Sequence, residues 1–435
     1  MNASDKRSSL NAALRDPSLS VMNFLNEVKI NFPDAISFSA GRPAEAFFDL
    51  RARIAKFERF LAHECETRGM EEETLLGLLG QYGRTNGIIG PHLAAQLRND
   101  ENIEATADDI VVTTGCQEAM ALVLIGLFDP AEDVLLCADP TYIGITGLAA
   151  LLGIEIEPVH CDDAGLDLAD LDRAVADIKA RGKVAKAVYV IPDFNNPLGS
   201  DMKVEARRAL LQSASRHDLW VFEDNPYGMF TYDSEPAPTL KSLDTEERVI
   251  YLGTFSKTLF PSLRVGYLVT GATIQNNGKE EKLTEAFSKI KSLTTVNTSG
   301  LVQAMIGGIL IDSGHSLKQL VEPLVNYYRA NRDTMLSALE KAFPGNENHG
   351  VTWNRPGGGF FMTVNLPFEF DDQALEQCAG DHGVIVVPMS YFAMRKGREH
   401  QIRLSFCSNT LEEIERGVGQ LAQFIRKRIG TPDRQ

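Results

Sequence analysis

Between residues 110 and 271 the chain alternates short apolar runs with longer stretches whose apolar positions recur every three or four residues. The runs are DIVVTT, EDVLLCADP, IEIEPVHC, KAVYVIPDF, LWVFEDN, RVIYLGT and LRVGYLVTG. Each is too short for a helix and apolar at consecutive positions, which marks strands covered on both faces. The intervening stretches, such as QEAMALVLIGLF and KVEARRALLQSASRH, carry the helical period. This alternation predicts an α/β fold with a mainly parallel, seven-stranded sheet between helical layers. A long helix is expected over 315–342, with Pro323 a kink near its start. Beyond it, VTWNRPGGGFFMTVNLP, HGVIVVPMSYF and QIRLSF read as strands and TLEEIERGVGQLAQFIRKR as a last helix. That tail predicts a small α+β domain, completed by N-terminal residues around ISFSAGRP. The expected division is 1–75 with the small domain, 76–330 as the large domain and 331–435 as the rest of the small one. The polar first 20 residues are expected to be disordered.

Composition narrows the function. A length of 435 residues is enough for two cores. A net charge of -16 opposes non-specific nucleic-acid binding, which needs a basic surface. The 6 cysteines include no CxxC pair and read as reduced thiols of a cytoplasmic protein. The opening residues lack the apolar segment of a secretory signal, and no apolar run is long enough to cross a bilayer. The 8 histidines show no HxH or HxxxH pair, so no metal is expected. GATIQNNGKE lacks the glycine spacing of a phosphate loop.

In open parallel sheets ligands bind beyond the carboxyl ends of the strands, so the residues after each run carry the reading. After the first come Gly115, Cys116 and Gln117 at a helix start, where free N–H groups attract an anion. Tyr142 follows the second run, either packing or lying on a planar ligand. Asn196 follows the fourth, in a turn-forming NNPLG, with an amide able to meet a ring oxygen. Asp224 ends the fifth, with Tyr227 three residues on; it is a solvated acid, a cap, or a partner for a ring nitrogen. After the sixth, GTFSKTLFPSLRVGY sets Lys257 beside Thr254 and Ser256, with Arg264 close behind. Two hydroxyls and a guanidinium make a phosphate receptor, and a lysine fixed beside it can form an imine with an aldehyde. Each signal alone has a bland explanation. In this order they are the parts needed to hold pyridoxal phosphate.

On these motifs, from ISFSAGRP through NNPLG, EDNPYG, GTFSKTLFPSLRVGY and PGGGFF to IRLSF, the chain resembles the class I aminotransferases of the fold-type I pyridoxal phosphate enzymes. The resemblance implies that Lys257 forms the imine and shuttles the proton. It implies that Asp224 pairs with the ring nitrogen, that Asn196 and Tyr227 contact the ring oxygen, and that Tyr142 stacks on the ring. The phosphate falls to Gly115, Cys116, Gln117, Thr254, Ser256 and Arg264. Arg403 takes the substrate α-carboxylate, with Asn196 and Gly41 nearby. Tyr82, in QYGRTNG, reaches the phosphate of a neighbouring subunit, so a homodimer with shared sites is implied. The implied partners are an L-α-amino acid and a 2-oxo acid. MNFLNEV, SAGRP and QYGRTNG further resemble the transaminases that make arylglycines such as 3,5-dihydroxyphenylglycine.

Three departures from the family pattern stand out. Cys116 replaces a small or hydroxyl residue, Met389 replaces a frequent glycine and is expected to narrow the substrate pocket, and Arg42 stands where an uncharged residue is common. Phe24, Phe38 and Phe360 are the other residues expected to shape that pocket. A pyridoxal phosphate lyase or elimination enzyme would use the same cofactor residues and stays open at this point. A cofactor-sensing regulator is disfavoured by the short stretch ahead of ISFSAGRP and by the acidic charge.

Overall fold

The computed structural model describes residues 12–15, 19, 21–276, 278–345 and 349–430. The expectation of disorder over the first 20 residues falls mostly outside this set, which includes one short 3-10 turn, Ala12–Arg15. All seven apolar runs are strands of one eight-stranded sheet. Its order is Ile110–Thr113, Gly266–Val269, Val249–Thr254, Trp220–Asp224, Val184–Val190, Asp133–Asp139, Glu155–Asp162, Gly165–Leu166. The eighth member is a two-residue edge strand, folded back antiparallel on Glu155–Asp162. Only its pairing reveals it, because two residues carry no periodicity.

Burial on both faces is what the consecutive apolar positions dictate. Ile110–Thr113 and Asp133–Asp139 are buried at every residue. Glu155–Asp162, covered on its outer side only at Cys161 and Asp162, is partly open and carries charge, which discourages further pairing. Gly266–Val269 runs antiparallel to both neighbours. Ten or so residues of loop and 3-10 turn precede it, too few for the helical crossover a parallel strand needs.

The small-domain strands form a four-stranded antiparallel sheet in the order Thr352–Trp353, Phe361–Asn365, Gln401–Ser405, Val387–Pro388. The expected first strand is thus split by its glycines, and Met389–Tyr391 is a 3-10 turn. The long helix spans Lys318–Ala342, with Pro323 inside its first two turns. Contacts divide the N-terminal segment expected to belong whole to the small domain. Ile36–Ser37 pairs in parallel with Val384–Ile385 of the C-terminal region. Phe60, Leu61, Leu75 and Leu79 instead join a core cluster with Ile110, Tyr251 and Leu310.

Helix Lys56–Arg68 packs closely on helix Gly300–Asp312 because the latter presents glycine at the crossing. A Cβ at Gly308 would fall 1.7 Å from the Lys56 carbonyl oxygen, and one at Gly307 2.5 Å from the Phe60 ring. Backbone cannot yield there as a flexible side chain would. Gly308→Ala is expected to force the helices apart and destabilise the fold by roughly 1–3 kcal/mol, read as a lower denaturant midpoint. An unchanged midpoint would show that the crossing tolerates a methyl group.

Candidate active site

Five parallel strands end along one edge of the large sheet, and the loops that leave them surround a cavity of about 370 Å³. The antiparallel strand Gly266–Val269 begins at that same edge, which brings in Arg264. Every residue singled out for the site lines this cavity except Gly115 and Tyr82. Gly115 lies directly behind it. Tyr82 is 83% exposed and outside the cavity of its own chain.

One end is built for an anion. Gly115 opens helix Cys116–Leu127 without a side-chain cap, leaving the first N–H groups of the helix available. Its φ of +76° favours glycine, and a Cβ there would lie 2.2 Å from Nη2 of Arg264. The guanidinium is therefore lodged against the helix start. Arg264 itself adopts a left-handed φ of 50°, a strained choice for a non-glycine residue. Thr254 Oγ1 accepts from the Ser256 N–H and donates to the Ser256 hydroxyl, both at 3.1 Å. Helix N–H groups, two hydroxyls and a guanidinium fit a phosphate dianion.

The middle holds two buried groups of opposite charge. Asp224 accepts from the Tyr189 hydroxyl at 2.5 Å and from the Cys116 thiol at 3.6 Å. Burial pushes its carboxyl up to about 6, against the pull of those two donors and of Lys257. Lys257 Nζ donates to the Gly41 carbonyl at 2.8 Å. Burial lowers the pKa of its amine, opposed by charge on Cys407 and Asp224. The Tyr142 hydroxyl donates to Gln117 Oε1 at 3.3 Å, and Tyr227 is held edge-on by Phe360 and Phe361.

Arg403 forms the other end. It lies on strand Gln401–Ser405 between Thr363 and Val387 of its neighbours. Its guanidinium is sandwiched between the rings of Phe361 and Phe392, 4.4 and 4.5 Å from their centroids. Nη1 donates to Asn196 Oδ1 at 2.8 Å and Nη2 to the Ser39 carbonyl. Nε is buried without a partner. Burial lowers its pKa to about 10, which leaves it a cation at neutral pH. An under-satisfied buried cation is an anion receptor.

Some pocket expectations are corrected. Met389 is fully buried in a core cluster with Val387 and Phe392 and does not line the cavity. Phe38 and Phe360 are core residues, and Phe24 packs edge-on to Tyr391. Arg42 does line the cavity. Sequence reasoning missed Tyr189, Phe361, Phe392 and Cys407. Tyr189 had one available signal: a tyrosine in a fully apolar central strand needs a partner for its hydroxyl.

Sheet order and site together define a fold-type I enzyme built around pyridoxal phosphate. The family Aminotransferase class I and II matches residues 86–421. The chain is 41% identical to the (S)-3,5-dihydroxyphenylglycine transaminase of Amycolatopsis orientalis over 97% of its own length and 95% of that protein's. It is 30% identical to the aromatic-amino-acid aminotransferase 1 of Thermococcus litoralis, covering 91% and 89%. The solved kynurenine aminotransferase of Pyrococcus horikoshii, in complex with PMP, superposes with a TM-score of 0.82 at 29% identity, covering 98% and 99%. The chain belongs to the class I and II aminotransferases. It is a pyridoxal phosphate-dependent enzyme that moves an amino group between an α-amino acid and a 2-oxo acid.

Removing the Tyr189 hydroxyl withdraws the strongest donor that holds the Asp224 carboxyl down. In cofactor-free Tyr189→Phe, proton affinity at Asp224 is expected to rise about tenfold. Its titration, followed by infrared difference spectroscopy with Asp224→Asn as the blank, then moves to higher pH than about 6. An unmoved midpoint would show that burial alone sets it.

Proposed function

We propose that the amino donor is an aromatic L-α-amino acid, arylglycines included. The observation that carries this reading is the convergence of a buried amine, a buried carboxylate and a ring-flanked guanidinium on one cavity. The remaining lining sets Ile143 and Pro261 as apolar surface with Arg42 as a cationic corner. An apolar wall with one guanidinium suits a flat ring bearing hydroxyls better than a flexible aliphatic chain. The 41% identity to an arylglycine transaminase supports the same choice.

Pyridoxal phosphate, when bound, supplies the electron sink for bond cleavage at Cα. The residues at the helix start (Gly115, Cys116 and Gln117), with Thr254, Ser256 and Arg264, hold its phosphate. Asp224, ionised above about pH 6, holds a proton on the ring nitrogen. Asn196 and Tyr227 would contact the ring oxygen, and Tyr142 would lie on the ring. Lys257 would be the covalent anchor for the aldehyde. With the cofactor bound, Lys257 Nζ would be the base that accepts the Cα proton, for which it must be neutral; burial favours that form. Arg403 would fix the α-carboxylate, and its bond to Asn196 Oδ1 leaves the Asn196 amide nitrogen as the donor for a ring oxygen. The rings of Phe361 and Phe392 keep water from the guanidinium.

The reading extends to assembly and place. We take the large domain to begin near residue 50 rather than 76, since helix Lys56–Arg68 packs on Gly300–Asp312. A homodimer is supported by the exposed apolar residues around Tyr82: Leu78, Leu293, Val296 and Leu301, with Leu293 88% exposed. Tyr82 then completes the partner's phosphate site. Six free thiols support a cytoplasmic location. Among the described residues no helix is long and apolar enough to cross a membrane.

A spectrophotometric screen of amino donors tests the substrate class. Phenylglycine-type and aromatic donors are expected to convert the bound cofactor faster than aminoadipate or branched aliphatic donors, and a preference for the latter rejects the assignment. Arg403→Lys is expected to lower kcat/KM about a hundredfold, since the fork of donors is lost. Ammonia released without an oxo acid would point to elimination instead. For the assembly, Leu293→Glu with Leu301→Glu is expected to give monomers with weakened cofactor retention; a wild-type protein that sediments as a monomer refutes the shared site.

A further inference from the structure

A cluster of metal-type ligands lies in the helical layer, on residues that neither the cofactor nor the substrate uses. His63 and Glu64 come from helix Lys56–Arg68, and His92 from helix Gly90–Glu101. One donor atom from each lies within 4.8 Å of the others. Glu64 Oε1 and His92 Nε2 are 3.3 Å apart, close to the edge of a tetrahedron with bonds of about 2.0–2.1 Å. The His92 and Glu64 side chains are both buried, whereas His63 is half-buried and leaves a way in from solvent.

The surroundings resemble the outer shell of a metal centre. His92 Nδ1 is 3.1 Å from Nε2 of His315, whose ring lies nearly parallel to it at 9°. A proton on Nδ1 shared with His315 leaves Nε2 as the lone-pair nitrogen that faces Glu64. Metal-binding imidazoles are fixed in this way by a partner on the other nitrogen. Arg68 pairs with Glu64 Oε2 at 2.5 Å, which leaves Oε1 directed at His92. Asn99 pins the backbone of the His315 turn by donating to its carbonyl at 2.9 Å. Glu64 and the His315 turn are therefore held by contacts outside the cluster, and His92 is held by His315.

We propose that His63, Glu64 and His92 form a binding site for a borderline divalent cation of the Zn²⁺ class, with His315 orienting His92. Two imidazoles and one carboxylate suit Zn²⁺, Co²⁺ or Ni²⁺ over Mg²⁺ and Ca²⁺, which prefer oxygen. Three protein ligands leave a fourth position for water. The site ties together two helices and the turn after a third.

Holoenzyme treated with EDTA and desalted is titrated with Zn²⁺ by calorimetry and with Co²⁺ by visible ligand-field absorption. The expected result is one saturable site per chain, with the intense Co²⁺ bands of a four-coordinate centre and a raised thermal midpoint. His63→Ala, at a half-exposed position, is expected to abolish this binding while transamination is unchanged. His315→Ala is expected to weaken it about tenfold, as loss of an orienting partner does. If His92→Ala fails to fold, His63→Ala decides. Absence of a saturable site in the wild-type protein overturns the proposal, as does stoichiometric binding that survives His63→Ala.

Discussion

Lys257 and Asp224 are shut into one cavity with no hydrogen bond between them, and the cost of keeping both charged away from water governs what surrounds them. Burial drives the two towards neutrality from opposite sides, raising the acid and lowering the amine. Each is partly rescued by a fixed partner: Tyr189 and Cys116 on the acid, the Gly41 carbonyl on the amine. Those partners come from a central strand, a helix start and the N-terminal segment. The site therefore exists only when distant parts of the chain have closed together. A cavity left in this unresolved balance favours a ligand that carries a protonated ring nitrogen and an aldehyde.

Arg403 extends the same dependence across the domains. Its two bonded nitrogens reach Asn196 in the large domain and Ser39 in the N-terminal segment, while its own strand belongs to the C-terminal sheet. Phe361 can lie over the guanidinium because Gly41 has no side chain; a Cβ there would fall 2.4 Å from the ring. Gly41 thus serves twice, offering its carbonyl to Lys257 and its empty flank to Phe361. Placement of the guanidinium and placement of the amine are coupled through this one residue.

Much of this was legible in the sequence because it is local. The seven strands announced themselves as short runs apolar on both faces, and the loops after them carried Gly115, Asn196, Asp224, Lys257 and Arg264 in order. What was not legible depends on packing. Met389 reads as a pocket residue beside the site strand, yet Val387 and Phe392 share its buried cluster. Tyr189 reads as core, because only the paired strands place its hydroxyl against Asp224. The two-residue strand Gly165–Leu166 has no pattern to detect. The division of the N-terminal segment escaped for the same reason, since helix Lys56–Arg68 is amphipathic whichever domain it joins.

The histidine cluster shows how far such packing outruns spacing rules. His63, His92 and His315 are too far apart in the chain for any ligand motif, so the spacing of the histidines argued against a metal. Their meeting is set by small residues elsewhere. Gly307 and Gly308 let helix Gly300–Asp312 approach Lys56 and Phe60 at backbone distance. That approach brings the turn carrying His315 and the helix carrying His63 and Glu64 onto opposite sides of His92. A methyl group at the crossing would push the helix that leads into the His315 turn away from the helix that carries His63 and Glu64. The contact of His315 with His92 thus depends on two glycines that touch neither ring.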